Sequence, residues 1–406
     1  MTTAGPSAPR LRAAFAFIFV TVALDMLALG IMVPILPKLI LHFEGGDMAA
    51  AARVAGVFGF AWALMQFVFS PVLGALSDRF GRRPVVLASN FGLGMDYVLM
   101  AIAPSLGWLF AGRVISGITS ASFSTAGAYI ADVTPPEQRA ARFGMLGAAF
   151  GLGFVVGPAV GGLLGAIDLR LPFWVAAALS LANAMYGTFI LPESLPPEKR
   201  APFSLRRANP VGALGLLRSH PELYGLAGAA LLYFLAHEAL PSVFVLYTDH
   251  RYQWDARTVG LALAGVGVCT AVVSGGLVGP VVERLGARRT LLFGLVMGAV
   301  GYGFYALAPV SALFFAGIPF VALWGLTGPT VQAVMTKRVA PSEQGQLQGA
   351  LSSLRGMTGM IGPLLFTQVF AFAVGGGAPW LPGIPFLLGA AMLLVSFAVA
   401  AWATRA

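Results

Sequence analysis

Gly74-Ala75-Leu76-Ser77-Asp78-Arg79-Phe80-Gly81-Arg82-Arg83 is the densest run of charge in a chain only 10% charged, and apolar sequence flanks it on both sides. It predicts a tight turn between two membrane spans. Gly74 and Gly81 permit a sharp reversal and close helix approach, while three arginines and one aspartate stand where the hydrocarbon ends. The pattern returns as Gly279-Pro280-Val281-Val282-Glu283-Arg284-Leu285-Gly286-Ala287-Arg288-Arg289. Gly74 and Gly279, Asp78 and Glu283, Gly81 and Gly286, and Arg83 and Arg288 are each 205 residues apart. The same offset relates Ala103-Pro104 to Ala308-Pro309 and Gly157-Pro158 to Gly362-Pro363. A repeat this regular in apolar sequence points to a membrane transporter made of two related halves.

Composition supports that reading. The 406 residues are 58% hydrophobic with a mean hydropathy of +0.84, against about 45–50% apolar in soluble domains. The net charge of +9 does not imply nucleic acid, because the basic residues sit in short turns between apolar runs, as positive-inside topology requires. Cys269 is the only cysteine, so no intrachain disulfide is possible. Arg10 and Arg12 ahead of an apolar run resemble a signal peptide. That run continues past Asp25 to Pro37 with no small-residue cleavage site, which predicts a retained first span.

A spanning helix needs about 20 mostly apolar residues. Windows of that kind fall at 13–36, 53–76, 84–103, 106–131, 142–165 and 172–191, then at 222–248, 257–282, 288–308, 310–336, 344–372 and 382–403. The expected fold is an all-α membrane protein of twelve transmembrane helices in two pseudo-symmetric six-helix bundles. Of the 25 lysines and arginines, 18 lie in segments on the side of the termini and five in the opposite loops, with Arg113 and Arg355 inside spans. This asymmetry predicts that both termini are cytoplasmic. The one long polar connection runs from Pro192 past Glu198-Lys199-Arg200 and Arg206-Arg207 towards Arg218. It divides the chain into a first bundle (1–191), a cytoplasmic linker (192–220) and a second bundle (221–406). The linker is read as solvated, with an interfacial, anionic-lipid-binding helix as the alternative.

The sequence resembles the major facilitator superfamily, and within it the twelve-span drug/proton antiporters. Gly74–Arg83 matches the loop signature after span two. Leu109, Arg113, Gly117 and Ala121 match the span-four signature, and Gly153-Phe154-Val155-Val156-Gly157-Pro158-Ala159-Val160-Gly161-Gly162 matches the span-five antiporter signature. Similarity is closest to the tetracycline-efflux proteins, through Ala63-Leu64-Met65-Gln66-Phe67, Ser70-Pro71-Val72-Leu73-Gly74, Ala128-Tyr129-Ile130-Ala131-Asp132 and Gln344-Gly345-Gln346-Leu347-Gln348-Gly349. Leu24-Asp25 followed by Val33-Pro34-Ile35-Leu36-Pro37 agrees as well. The resemblance implies a proton-driven exporter of lipophilic drugs, cationic or zwitterionic, in a bacterial inner membrane, working by alternating access as a monomer. Its expected partners are a small-molecule substrate, protons and membrane lipids, with no nucleic acid and no cofactor; antibiotic resistance is the implied role. The chain departs from these proteins in span nine, where they carry a carboxylate linked to proton coupling. Here Gly294 to Tyr302 offers Gly298, and no Asp or Glu occurs between Glu283 and Glu343.

The residues carry readings of their own. Asp25, near the middle of span one, must be paired, hydrated or protonated at that depth, which suits a proton site; the alternative is a carboxylate bonded to a neighbouring helix. Asp96 in span three either couples protons or ties helices together. His237 and Glu238 in span seven and Arg355 in span eleven suggest a triad in which Arg355 neutralises Glu238, in place of the missing span-nine acid; alternatively Arg355 caps carbonyls and His237 only packs. The resemblance associates Arg113 with proton coupling. Asp78, Arg79, Arg82, Arg83, Asp132, Glu283 and Arg284 are read as gate residues and also as positive-inside anchors. The resemblance implies that Arg82 pairs with Asp132, and that Asp78 meets the start of span eleven near Gln344–Gln346. Gly153, Gly157, Pro158, Gly161 and Gly162 would form a smooth hinge face. Phe58, Gln66, Tyr233, Phe234, Trp324 and Gln332 are candidates for an amphiphilic substrate pocket. No metal-ligand spacing, phosphate loop or nucleophile–base pair occurs, so an enzyme is not expected. The alternative within the same fold is a symporter or uniporter importing a small metabolite.

Overall fold

The computed structural model of the chain describes residues 8–119, 122–203, 212–340, 343–375 and 381–405, and among them it contains helices and turns but no strand. The chain divides into two compact units, Met1–Ile35 with Leu64–Asn209, and Leu36–Ala63 with Pro210–Ala406. The first contains α1 (Ala8–Met32). α2 (Leu36–Phe43) and the first half of α3 (Met48–Phe80) group with the second unit, and the rest of α3 with the first. The first unit continues through α4 (Arg82–Ile102), α5 (Leu106–Thr119), α6 (Ser122–Val133), α7 (Pro136–Gly165) and α8 (Leu171–Ile190). α1 packs along α7, and α4 along α8. Phe17, Ile18, Val22, Val86, Tyr129, Ile130 and Leu146 fill the core where α1, α4, α6 and α7 meet.

The second unit contains α9 (Gly215–Ser219), α10 (Tyr224–His237), α11 (Ala239–Tyr252) and α12 (Ala256–Val272), then a π-helical turn at Val273–Leu277 leading into α13 (Val278–Leu307). α14 (Ser311–Ala316), α15 (Ile318–Trp324), α16 (Thr327–Thr336), α17 (Gln344–Val374) and α18 (Ile384–Ala403) complete it. α18 lies between α10 and α13, and α17 packs on α10 and α11.

Ten helical stretches among the described residues are long and apolar enough to cross a membrane. Nine correspond to one expected window each, and the tenth, Ala256–Leu307, carries both 257–282 and 288–308. The window at 106–131 is occupied by α5 and α6 on either side of residues outside the description. Phe189 and Phe372, 84% and 80% exposed, point outward, which suits acyl chains and not water.

Three breaks within windows that read as single helices fall next to a proline. Proline has no N–H and its ring crowds the carbonyl four residues back. Pro34 accounts for the turn between α1 and α2, and Pro241 for the break at Glu238 between α10 and α11. Pro319 accompanies the break at Gly317 between α14 and α15. The repeat is also visible in the backbone. Gly81 has φ 106° and ψ 157°, and Gly286, 205 residues later, bends α13 with φ 76° and ψ 156°. At the far ends of the same helices, Ala103 (φ −53°, ψ 120°) and Ala308 (φ −59°, ψ 118°) terminate them alike.

Candidate functional site

In the first unit, three helices bring ionisable groups into one buried cluster. Asp25 on α1, Asp96 and Tyr97 on α4, and Arg113 on α5 are all at most 9% exposed. Asp96 and Arg113 attract one another, and the charges of Asp25, Asp96 and Arg113 all act on Tyr97. The approach of α4 to α5 depends on Gly112, where a Cβ would lie 2.8 Å from Asp96 Oδ1. Buried charges persist when they face one another, because each alone would be costly to desolvate.

At the Gly81 turn, Arg82 Nε donates to Asp132 Oδ2 at 3.1 Å, so these two expected gate residues do meet. Arg82 Nη1 also reaches Asp78 at 2.5 Å and Ser77 Oγ at 2.6 Å. Arg83 donates to the Thr188 carbonyl at 2.6 Å, and Arg79 lies over its neighbour Phe80 at 5.1 Å. Glu283 and Arg284, at the repeated turn, are exposed. Glu193, in the segment expected to be a solvated linker, belongs to this turn. Its carboxylate accepts from the Arg82 and Arg83 amides at 2.8 and 3.3 Å, and from those of Ser194 and Leu195. The first stretch of the linker is thereby fastened to the start of α4, and Ala201 N donates to the Asp78 carbonyl.

The span-five glycines form the contact with α1. A Cβ at Gly153 would meet Met26 Cβ at 2.5 Å, one at Gly157 would meet Gly30 Cα at 2.6 Å, and one at Gly161 would overlap the Ile31 carbonyl. The four-residue spacing puts all three on one face of α7; Pro158 lies inside the helix and Gly162 is buried. The helix packed on this face is α1.

The second unit contains a cavity of about 500 Å³. Of the six expected pocket residues, Tyr233, Phe234, Trp324 and Gln332 line it, whereas Phe58 and Gln66 do not. His237 and Arg355 line it too. The expected triad is not assembled as a set of contacts. Glu238 is absent from the lining, and no ion pair within 4 Å joins it to Arg355, although the charge of Arg355 does act on it. Residues adjacent on a helix point about 100° apart, so His237 faces the cavity while the stem of Glu238 lies against Gly362, where a Cβ would overlap it. Arg355 stacks over the Phe234 ring at 4.9 Å. Trp324 is flanked by Tyr233, His237 and Tyr302 with ring centroids 5.2–5.7 Å apart. Gln348 and Ser352 also line the cavity. Their spacing with Arg355, at i, i+4 and i+7 on α17, was a readable signal of one polar face.

Comparison with known proteins agrees with these features. The sequence model of the Major Facilitator Superfamily matches residues 18–363. The chain is 40% identical over 375 residues to the class C tetracycline resistance protein of Escherichia coli, covering 92% of this chain and 93% of that one. It is 36% identical over 380 residues to the class G protein of Vibrio anguillarum, with the same coverage. Among solved structures, a bacterial homolog of the human lysosomal transporter Spinster, inward-facing and unoccupied, superposes with a TM-score of 0.78 at 18% identity, covering 98% of each chain. That likeness concerns the fold alone.

Proposed function

Because this chain belongs to the Major Facilitator Superfamily, and within it to the group of the tetracycline resistance proteins, we propose that it is an exporter driven by protons, with tetracycline among its candidate substrates. It is an efflux transporter. The observation that supports proton coupling is the buried cluster of Asp25, Asp96 and Arg113 on three helices of one unit. A carboxylate that gains a proton there loses its charge, and its attraction to Arg113 goes with it. The helices carrying these groups are then free to shift, which is how a local protonation becomes a conformational change. Asp25 is assigned the transported proton, and Arg113, whose charge acts on Asp96, the role of answering the charge of that neighbouring carboxylate. Glu238 is assigned a second protonation site. The Arg82–Asp132 contact closes the cytoplasmic end of the first unit, and the glycine face of α7 is the surface on which α1 moves. We place the protein in a bacterial inner membrane, with both termini cytoplasmic, surrounded by lipid and acting as a monomer.

Proteoliposomes holding the full chain, loaded with tetracycline and given an imposed proton gradient, test this reading. Substrate is expected to move against the direction of proton flow. Co-directional movement would instead indicate a symporter. Asp25→Asn is expected to abolish gradient-driven transport while leaving insertion and thermal unfolding intact. Undiminished coupled transport by that variant would remove Asp25 from the mechanism.

A further inference from the structure

Four segments of the second unit meet where α18 ends. Arg288, just past the Gly286 turn of α13, donates from Nε to Thr404 Oγ1 at 3.0 Å and from Nη2 to the Ala401 carbonyl at 3.4 Å. Arg338, just past α16, donates to the Ala403 carbonyl at 2.8 Å and to the Glu222 carbonyl, ahead of α10, at 3.2 Å. Segments 222–225, 286–290, 335–339 and 401–405 hold Arg288, Arg289, Lys337, Arg338 and Arg405 against one acidic side chain, Glu222. Among the described residues, no carboxylate lies within 4 Å of any of these cations. All but Arg338 are exposed. Trp402, 69% exposed, lies beside Gly225, where a Cβ would stand 3.2 Å from the indole, and Tyr224 is 53% exposed.

The repeat provides an internal comparison. Arg83, 205 residues before Arg288, donates to the Thr188 carbonyl, two residues short of the end of α8. Arg288 does the same to Ala401, two residues short of the end of α18. After α8 the chain continues to Glu193, whose carboxylate stands at the Gly81 turn, where an added Cβ would overlap it. A Cβ at Gly286 meets nothing within 4 Å, and the residue that follows Thr404 is Arg405. One turn carries its own anion, and its counterpart is left cationic.

We propose that this corner binds the phosphate of an anionic phospholipid between Arg288 and Arg338, with Trp402 and Tyr224 beside the lipid's glycerol and acyl portion. The phosphate supplies from outside the negative charge that Glu193 supplies within the first unit. The inference goes beyond the transport reading and is independent of the direction of transport. Each guanidinium has five N–H donors, and each of these two makes only two bonds to the protein. The remaining donors are open to phosphate oxygens, which the planar fork suits. The C-terminal end of α18 offsets only about half a charge, so the pair stays cationic. Helix ends in a membrane protein lie at headgroup level, where tryptophan and tyrosine rings gather, and basic pockets between such ends take anionic headgroups. The exposed rings favour a lipid over a free anion, because they offer apolar surface that only the lipid can cover.

Native mass spectrometry of the full chain, delipidated in neutral detergent, tests the site. The protein is titrated with phosphatidylglycerol and with phosphatidylcholine of the same acyl composition, each with and without inorganic phosphate. Wild type is expected to bind one phosphatidylglycerol more tightly than phosphatidylcholine by about tenfold or more, the effect of one good charge-assisted bond. Millimolar inorganic phosphate is expected to leave that preference in place. Arg288→Gln with Arg338→Gln should remove it, whereas Arg289→Gln with Lys337→Gln, an equal loss of charge at exposed neighbours, should retain it. If the first pair fails to fold, Arg288→Gln alone leaves both Arg338 bonds in place and is expected to lose part of the preference. Three results would each overturn the proposal. Equal binding of the two lipids by wild type would show that the chain needs no outside anion there. An equal loss in the two double variants would reduce the effect to diffuse surface charge. Displacement of phosphatidylglycerol by inorganic phosphate would make the corner a site for a soluble anion.

Discussion

At Gly298 the absence of a side chain makes room for two neighbours. A Cβ there would lie 2.7 Å from Trp324 Cγ and 2.9 Å from Leu393 Cδ1. Gly298→Ala is therefore expected to destabilise the protein by about 1–3 kcal/mol, the usual range for overpacking a filled site, read as a lower unfolding midpoint in detergent. Gly298→Asp, which restores a carboxylate to span nine, is expected to be worse, because it adds a charge to the same occupied space. The missing acid was legible in the sequence, since no Asp or Glu occurs between Glu283 and Glu343. That Trp324, 26 residues away in the chain, occupies the space was not legible, because tertiary packing alone sets the contact. His237 and Glu238 carry the same lesson: as adjacent residues they read as one site, and the turn of the helix points them in different directions.

At the scale of elements, helix starts leave amide groups without partners, and the chain supplies those partners from different distances. α12 is capped locally, with Asp255 Oδ1 accepting from Thr258 N at 2.8 Å. This bond holds the Asp255 carboxyl below the usual aspartate value. A depressed folded value means that the stabilisation is fully present above the ordinary aspartate range and disappears as pH falls through the folded value. Asp255→Asn is thus expected to flatten the acid limb of the stability–pH curve in thermal unfolding, with little change at neutral pH. α4 is capped from afar by Glu193, 111 residues beyond Arg82. Glu193→Ala is expected to remove about 1 kcal/mol, the typical value of a lost cap, while Glu198→Ala in the same linker leaves the unfolding midpoint unchanged. Asp255 three residues before Thr258 is a pattern a reader can see. Glu193 is not, because nothing in its neighbourhood signals a helix that begins at Arg82, and proline and charge made the segment read as solvated linker.

For the whole molecule, the 205-residue repeat was the most legible feature, because glycine has no substitute where the backbone enters its private region. Gly81 and Gly286 both lie at positive φ with ψ near 155°, a combination essentially confined to glycine. The periodicity therefore fixed where each half turns, whereas the breaks beside Pro34, Pro241 and Pro319 needed the local backbone to reveal them. The grouping of Leu36–Ala63 with the second unit lies beyond what hydropathy windows encode. The two turns differ in their surroundings, and the difference can be measured. A Cβ at Gly286 meets nothing within 4 Å, whereas one at Gly81 would overlap the Glu193 carboxylate and lie 3.0 Å from Arg200 Nη2. Gly286→Ala is expected to cost backbone strain alone, of order 1–3 kcal/mol. Gly81→Ala adds displacement of the Glu193 cap, about 1 kcal/mol further, so it is expected to unfold at the lower temperature. In the Glu193→Ala background that extra penalty should shrink, because the displaced group is already gone; an undiminished gap between the two alanine variants would show that the first turn is strained for some other reason than its linker strap.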